Sequence, residues 1–95
     1  MHYEISVSQD AEAEILVAYL YYEEMAKGSG ERLLEAIDSA YKLITAYPGA
    51  FPERPRNTRA FFLKRYPFHI HYRVGKNTVR VIAFFHQSRA MQGTD

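Results

Sequence analysis

Two β-prone segments, Phe68–Val74 and Thr78–Phe85, constrain the fold of this chain more than any other feature. They flank Gly75-Lys76-Asn77, a sequence typical of a tight turn, and this arrangement predicts a β-hairpin. If Lys76 and Asn77 form the hairpin loop, one face of the hairpin carries only apolar pairs. Because a shift of one residue would destroy that separation, the pattern specifies a register.

The predicted register assigns the hairpin residues to two faces. The first face contains apolar pairs only: Val74 with Val79, Tyr72 with Val81, Ile70 with Ala83, and Phe68 with Phe85. The second face pairs Arg73 with Arg80, His71 with Ile82, and His69 with Phe84, and His86 lies beyond them. We expect the apolar face to pack on the core and the second face to be open.

The N-terminal half predicts a short strand and two helices. Alternating apolar residues, Tyr3, Ile5 and Val7, are typical of a strand with one buried face. Ser8 fits the N-cap of a helix of about 18 residues that ends at Gly28-Ser29-Gly30. A second helix of about 17 residues follows, and the short connection between the two predicts an antiparallel helical hairpin.

The remaining segments complete an α+β domain. Pro48-Gly49 ends the second helix, residues 48–57 form a proline-rich loop, and Thr58–Lys64 predicts another strand. The expected order is β-α-α-β-β-β, an antiparallel sheet with the helical hairpin packed on one face. We expect residues 1–95 to form a single domain.

Composition excludes several classes of protein. The chain has no cysteine, which excludes a disulfide framework, a thiolate zinc site and a cysteine nucleophile. It shows neither a signal-peptide pattern nor an apolar stretch of about 20 residues, so we expect a cytoplasmic protein without a membrane partner. It also lacks a glycine-rich phosphate loop and a serine nucleophile motif, so we expect no cofactor and no small-molecule substrate.

The charges are divided unevenly along the chain. Residues 1–50 carry three basic and nine acidic residues, a net charge of −6, whereas residues 51–95 carry nine basic and two acidic residues, a net charge of +7. The acidic helices could lie against a basic sheet, or the basic half could bind an anionic partner. The candidate contacts for an anion or an acidic partner are six arginines: Arg54, Arg56, Arg59, Arg73, Arg80 and Arg89.

Arg73 and Arg80 repel each other if they are opposed, so an anion, a carboxylate or solvent must compensate them. Together with His69, His71 and His86, they could bind an RNA backbone or cleave it through its own 2′-OH. The candidate catalytic residues for such a nuclease are Arg65, Arg73, Arg80 and His86. The same three histidines could bind zinc, but the neighbouring arginines would repel a cation, so we expect no metal site.

An ordered set of segments resembles one family over nearly the whole chain. The segments are Ala11-Glu12-Ala13-Glu14-Ile15, Tyr21-Tyr22-Glu23-Glu24, residues 30–37, Tyr47-Pro48-Gly49-Ala50-Phe51-Pro52, residues 64–74 and residues 81–89. No single segment is specific, but their order resembles the RelE/ParE superfamily of bacterial type II toxins. The resemblance implies a toxin that a cognate antitoxin neutralises, and it agrees with the fold expected from the residues.

The resemblance leaves the target open between two branches. RelE-like members cut mRNA on the ribosome; by resemblance Arg65 and Arg73 would clamp phosphate, and His86 would act as acid or base. ParE-like members have longer helices and inhibit DNA gyrase, which here would contact the helical hairpin or the C-terminal tail. The long helices, and the absence of a tyrosine near the C-terminus, favour the ParE-like branch. An inert family member that only binds a partner is a third alternative.

Overall fold

Two helices and five strands make up residues 3–87, the part of the chain that the computed structural model describes. In chain order they are β1 Glu4–Val7, α1 Gln9–Met25, α2 Ser29–Ala46, β2 Glu53–Arg54, β3 Thr58–Phe62, β4 Phe68–Val74 and β5 Thr78–His86. The strands form one sheet in the order β1-β5-β4-β3-β2. The α+β class predicted from the sequence is therefore confirmed.

The sheet is antiparallel except for β1, which pairs with β5 in a parallel arrangement. The helical hairpin supplies the long connection that leads away from β1. The structure adds β2, a two-residue strand within the segment that the sequence predicts to be a loop, residues 48–57. Strand β3 ends at Phe62 and not at Lys64, and β5 extends by one residue to His86.

Side-chain hydrogen bonds fix both ends of α1. Ser8 occupies the N-cap, and its hydroxyl accepts a hydrogen bond from the Ala11 N–H at 3.1 Å. The Glu23 carboxylate accepts hydrogen bonds from the N–H groups of Gly28 and Gly30, each at 2.9 Å. Gly28 has a φ of +89°, which favours glycine and lets the chain turn directly into α2.

The two helices approach each other closely near this turn. A Cβ atom on Gly30 would lie 2.7 Å from the ring of Tyr19, so a larger residue would not fit without displacing α1. Farther along, the Tyr41 side chain of α2 lies near Glu12 at the start of α1, and burial raises the pKa of Tyr41 to about 12. The helices therefore run antiparallel, as the sequence predicts.

The core lies between the helical hairpin and one face of the sheet. Its largest fully buried side chains include Leu33 and Ile44 from α2, Ile70 and Tyr72 from β4, and Phe84 from β5. The Tyr72 hydroxyl donates a buried hydrogen bond to the Pro48 carbonyl at 2.7 Å, which ties the end of α2 to the sheet. We call the face of the sheet that covers this core the helix-side face.

A β-bulge in the hairpin changes the predicted register. The pairs nearest the turn are confirmed: Val74 with Val79, Arg73 with Arg80, and Tyr72 with Val81. The ladder then shifts between His71 and Tyr72, and the later pairs are Ile70 with Phe84, His71 with Ala83, His69 with Phe85, and Phe68 with His86. The predicted pairs Ile70–Ala83, Phe68–Phe85, His71–Ile82 and His69–Phe84 are therefore wrong.

Ser8 and the first turns of α1 form hydrogen bonds with backbone groups around the bulge. The Ser8 hydroxyl donates to the Ile82 carbonyl at 3.1 Å, and the Glu14 carboxylate accepts from the Phe84 N–H at 2.9 Å. The extra residue moves Phe84 into the core and brings His86 to the helix-side face. Ala83 and Phe85 occupy the opposite face instead.

Within residues 3–87, neither helix is long and apolar enough to cross a membrane.

Candidate partner-binding surfaces

The sheet face that points away from the helices, which we call the open face, carries its side chains in three transverse rows. The first row crosses from β2 to β5 and contains three arginines. Arg54 pairs with Thr58, Arg73 pairs with Arg80, and Thr58 continues the β3–β4 ladder next to Arg73. The sequence prediction that Arg73 and Arg80 oppose each other on this face is confirmed.

The other two rows place one histidine each between two neighbours. Ala60, His71 and Ala83 form the central row, and Phe62, His69 and Phe85 form the third. The two imidazole rings are parallel, with centroids 6.2 Å apart. Phe62 lies 4.2 Å from the His69 ring centroid and keeps 47% of its surface exposed. This part of the open face is aromatic and only weakly polar.

The opposed arginines, Arg73 and Arg80, donate hydrogen bonds to neutral oxygen atoms. In the described part of the chain no carboxylate contacts them. Arg73 Nη2 donates to the Arg56 carbonyl at 3.3 Å, and Arg80 Nη1 donates to the Ser6 hydroxyl at 3.1 Å. Within residues 3–87 neither guanidinium group takes part in a salt bridge. The positive potential of the first row therefore remains available to an anionic partner.

Three other candidate arginines, Arg56, Arg59 and Arg65, are not members of this row. Arg59 points to the helix-side face, where it forms a salt bridge with Glu53 at 3.1 Å and donates to the Phe51 carbonyl at 2.8 Å. Arg56 is exposed in the β2–β3 connection with a φ of 66°, and Arg65 is exposed in the β3–β4 connection. Arg89 lies outside the described residues, as does the C-terminal tail beyond Gln87.

His86 is separated from the arginines with which the nuclease hypothesis groups it. It pairs with Phe68, and the two rings are in edge contact at 5.4 Å on the helix-side face. Arg73 and Arg80 lie on the open face, so the sheet stands between them and the imidazole. The cause is the bulge, because a regular register would have kept His86 on the arginine face.

Separation of the histidines also bears on the zinc hypothesis. His69 and His71 share the open face, whereas His86 does not. Among residues 3–87, no group of three or more histidine, cysteine, aspartate or glutamate side chains is arranged to hold a metal ion.

A groove lies between α1 and the end of the sheet where His86 is found. Its volume is about 680 Å³, and its apolar walls include Val17 and Tyr21 from α1 and Phe68 and Phe84 from the sheet. Tyr22 lines the same groove and contacts the Phe68 ring at 6.3 Å. Burial raises the pKa of Tyr22, so its hydroxyl is neutral over the physiological range.

Helix α1 exposes large apolar side chains on its outer surface. Five of them keep more than half of their surface accessible: Leu16, Val17, Leu20, Tyr21 and Met25. We call these five residues the α1 patch. Meanwhile the residues of α1 that are fully buried are the small Ala11 and Ala18. The helix packs on the core through Ala11 and Ala18 and through the partly buried Ile15 and Tyr22, while the five residues of the α1 patch point outward.

The sequence analysis did not identify the α1 patch as a binding surface, although a signal was present. Leu16 and Leu20 lie beside the predicted core stripe, and Val17 and Tyr21 lie next to them, so apolar residues surround most of the helix. A helix in a two-layer domain needs only one apolar face for its own core. Surplus apolar residues therefore indicate a second surface to be covered.

Comparison with known proteins is consistent with this geometry. The chain is similar in structure to a protein of the chromosomal ParDE TA system from P. aeruginosa, with a TM-score of 0.65 and 16% sequence identity. That match covers 90% of this chain and 96% of the other, and it shows a shared fold. No curated protein sequence matches the chain significantly.

The sequence itself matches a family model over most of its length. Residues 5–91 fit the model of the ParE toxin of the type II toxin-antitoxin system, parDE. The matched range contains both helices, strands β2 to β5 and all of β1 except Glu4. The chain therefore belongs to the ParE toxin family of type II toxin–antitoxin systems.

Proposed function

We propose that this ParE-type toxin inhibits DNA gyrase through a non-catalytic protein contact and that a cognate antitoxin neutralises it. The observation that carries the proposal is the α1 patch. Val17 and Met25 are 68% and 69% exposed, although nothing in the fold requires large apolar side chains there. Contiguous exposed apolar surface of this kind is typical of a protein-binding site.

The helical hairpin provides a rigid platform for such a contact. The close approach of Gly30 to Tyr19 and the two hydrogen bonds from the turn to Glu23 fix α1 against α2. A preorganised surface loses little conformational entropy on binding, so more of its apolar area contributes to affinity. The groove beside the α1 patch would extend the contact towards Phe68 and Phe84.

A nuclease is less well supported by the placement of its proposed catalytic residues. Phosphate clamping by Arg65 and Arg73 and proton transfer by His86 require all three groups to reach one phosphate. Since His86 faces the groove and Arg73 faces the opposite side of the sheet, the sheet separates two members of this set. Inhibition by binding requires no such convergence.

The open face is suited to the antitoxin. Its first row presents Arg54, Arg73 and Arg80, and the last two form no salt bridge within residues 3–87. An acidic segment that folds on binding would be attracted to this row and held by charge-assisted hydrogen bonds. The gyrase and antitoxin contacts would then use two different sides of the molecule.

The experiment that tests the gyrase hypothesis is a supercoiling assay with purified gyrase and purified toxin. We expect the His86→Ala variant to inhibit supercoiling almost as strongly as wild-type protein, because inhibition by binding needs no acid or base and His86 lies only at the groove beside the α1 patch. Added antitoxin is expected to restore activity. A protein inactive on gyrase that generates new mRNA 5′ ends in a translation extract, dependent on His86, would contradict the proposal.

A further inference from the structure

Three buried polar atoms have no hydrogen-bond partner within residues 3–87. They are Arg54 Nε, His69 Nδ1 and His71 Nε2. All three side chains belong to the open face and occupy successive rows of it: Arg54 lies on β2 and the two histidines lie on β4, with β3 between the two strands. The guanidinium group of Arg54 lies close enough to influence the ionisation of both imidazoles. The three atoms therefore belong to one cluster.

Such atoms destabilise a protein unless something completes their hydrogen bonds. Arg54 Nε can only donate, so the partner that it lacks is an acceptor. Each imidazole nitrogen also donates in the appropriate tautomer, so a single acceptor group can bind all three atoms. We propose that Arg54, His69 and His71 form a binding site for a carboxylate group on the open face.

Small side chains lie beside the central imidazole of the open face. His71 is flanked in its row by Ala60 and Ala83, the smallest side chains among these three rows. Phe62 and Phe85 form the aromatic wall of the next row, with Phe85 4.8 Å from the His71 ring centroid. The three nitrogen atoms are covered in the free protein, so the carboxylate enters as Arg54 rotates. Arg54 is half-buried on a two-residue edge strand and has a flexible side chain.

The charge of the cluster favours a carboxylate over a phosphate group. Burial, and then the Arg54 cation, lower the pKa of His69. Burial, His69 and Arg54 lower the pKa of His71 in the same direction. Near neutral pH both imidazoles are uncharged, and the cluster carries the single positive charge of Arg54. A monoanion matches this charge, and the guanidinium fork matches the planar geometry of a carboxylate.

The same coupling predicts a pH dependence. A bound carboxylate stabilises the imidazolium form, so it raises the pKa of both histidines and binding takes up protons. Affinity should therefore increase as the pH falls from about 7 to about 5.5. The charged groups near the imidazoles are Arg54 on β2, with Arg73 and Arg80 in the first row, whereas Phe62 and Phe85 are neutral.

The test is an NMR titration of the histidine ring signals in the full-length protein. Sodium acetate is the probe, and sodium chloride at equal ionic strength is the reference. We expect saturable shifts of the His69 and His71 signals with acetate, a rise in both pKa values, and little effect on His86. Absence of saturable shifts, or identical shifts with chloride, would show that water alone completes these hydrogen bonds and would overturn the proposal.

Two variants separate the cluster from general surface charge. Arg54→Met removes the donor but keeps much of the side-chain volume, and we expect at least about tenfold weaker acetate binding. Arg32→Met removes an exposed arginine of α2, away from the cluster, and should leave binding unchanged. Equal loss in both variants would mean that the affinity reflects net charge, which would contradict the assigned site.

The source of the carboxylate can be distinguished with the same signals. Acetyl-glutamate amide represents a glutamate side chain of a protein partner, and acetate and succinate represent free carboxylic acids. Tight binding of acetyl-glutamate amide indicates that the site takes a glutamate side chain of a protein partner. Binding of only acetate and succinate indicates a small carboxylic acid. Both results support a carboxylate site. Tighter binding of inorganic phosphate or of a short RNA oligonucleotide would overturn it. None of these results depends on whether gyrase is the target.

Discussion

The outer surface of α1 and the open face of the sheet lie on opposite sides of the molecule and differ in chemistry. Helix α1 presents the apolar Leu16, Val17, Leu20, Tyr21 and Met25, whereas the first row of the open face presents three arginines. Binding to an apolar surface is driven by the exclusion of water and depends little on salt. An arginine row attracts anions, and this attraction weakens as the salt concentration rises. The difference suggests two partners recognised by separate physical mechanisms.

The bulge in β5 is the feature that keeps the two sides distinct. It sends Phe84 and His86 to the helix side and leaves Ala83 and Phe85 on the open face. In a regular ladder His86 would share the open face with Arg73 and Arg80. One inserted residue therefore places His86 beside the apolar groove and not beside the arginines.

The largest expected effect comes from placing a charge in the α1 patch. Val17→Glu should weaken gyrase inhibition by about 100-fold, because a carboxylate would be buried without a partner at the centre of the contact. The readout is the toxin concentration that halves supercoiling activity. Val17 is 68% exposed, so the fold should tolerate the change, and unchanged circular dichroism should accompany the loss.

Leu43→Glu is the matched control for this substitution, since Leu43 is a large exposed apolar residue of α2 outside the α1 patch. We expect it to retain inhibition. If both variants inhibit like wild type, the α1 patch is not the gyrase contact. The apolar side of the molecule would then have no assigned partner.

A smaller effect should follow from removing the acceptor at the bulge. Glu14→Ala leaves the Phe84 N–H without its hydrogen bond from α1 and should lower the free energy of unfolding by about 1–3 kcal/mol. Urea denaturation gives this value, and faster amide exchange at Phe84 localises it. Glu24→Ala, at an exposed position of α1, should change stability by less than about 0.5 kcal/mol. Equal stabilities of the two variants would show that Glu14 does not support the bulge.

The smallest of the three effects concerns the open face. Arg73→Ala combined with Arg80→Ala should weaken antitoxin binding by about tenfold at low salt and flatten its salt dependence, while gyrase inhibition stays unchanged. Calorimetric titration of the antitoxin at several salt concentrations measures both quantities. The control variant Lys27→Ala with Arg32→Ala removes the same charge from the helical hairpin and should change antitoxin binding little. An antitoxin affinity independent of salt in the wild type would contradict a role for the arginine row.

Much of the fold could be predicted because local patterns and tertiary packing agree. Alternation marks β1, Ser8 and Gly28 mark the boundaries of α1, and the turn at Gly75-Lys76-Asn77 sets the pairs next to it. Each of these signals depends on a few neighbouring residues. The prediction of β4 as Phe68–Val74 is confirmed at both ends for the same reason.

The candidate surfaces could be predicted only in part. The opposition of Arg73 and Arg80 follows from the turn, since no irregularity lies between them and the loop. The apolar run Val81–Phe85 has no alternation, so its pattern allows either face for each residue, and the position of His86 could not be read from it. Similarly, Arg59 forms a salt bridge with Glu53 because Glu53 lies opposite it on β2. The proline-rich composition of residues 48–57 predicts a loop, so this contact could not be predicted.

By itself, the sequence determined the order of all elements except β2, the helical hairpin, the basic second half and the family, because these depend on composition, periodicity and the order of motifs. Tertiary structure decided which face each side chain of β5 occupies, the parallel pairing of β1, and the outward position of the α1 patch. These outcomes depend on groups distant in sequence, such as Ser8 and Glu14 hydrogen bonding to the bulge at Ile82 and Phe84. Hydrogen bonds of that kind form only when the folded chain brings their partners together, so no local pattern records them.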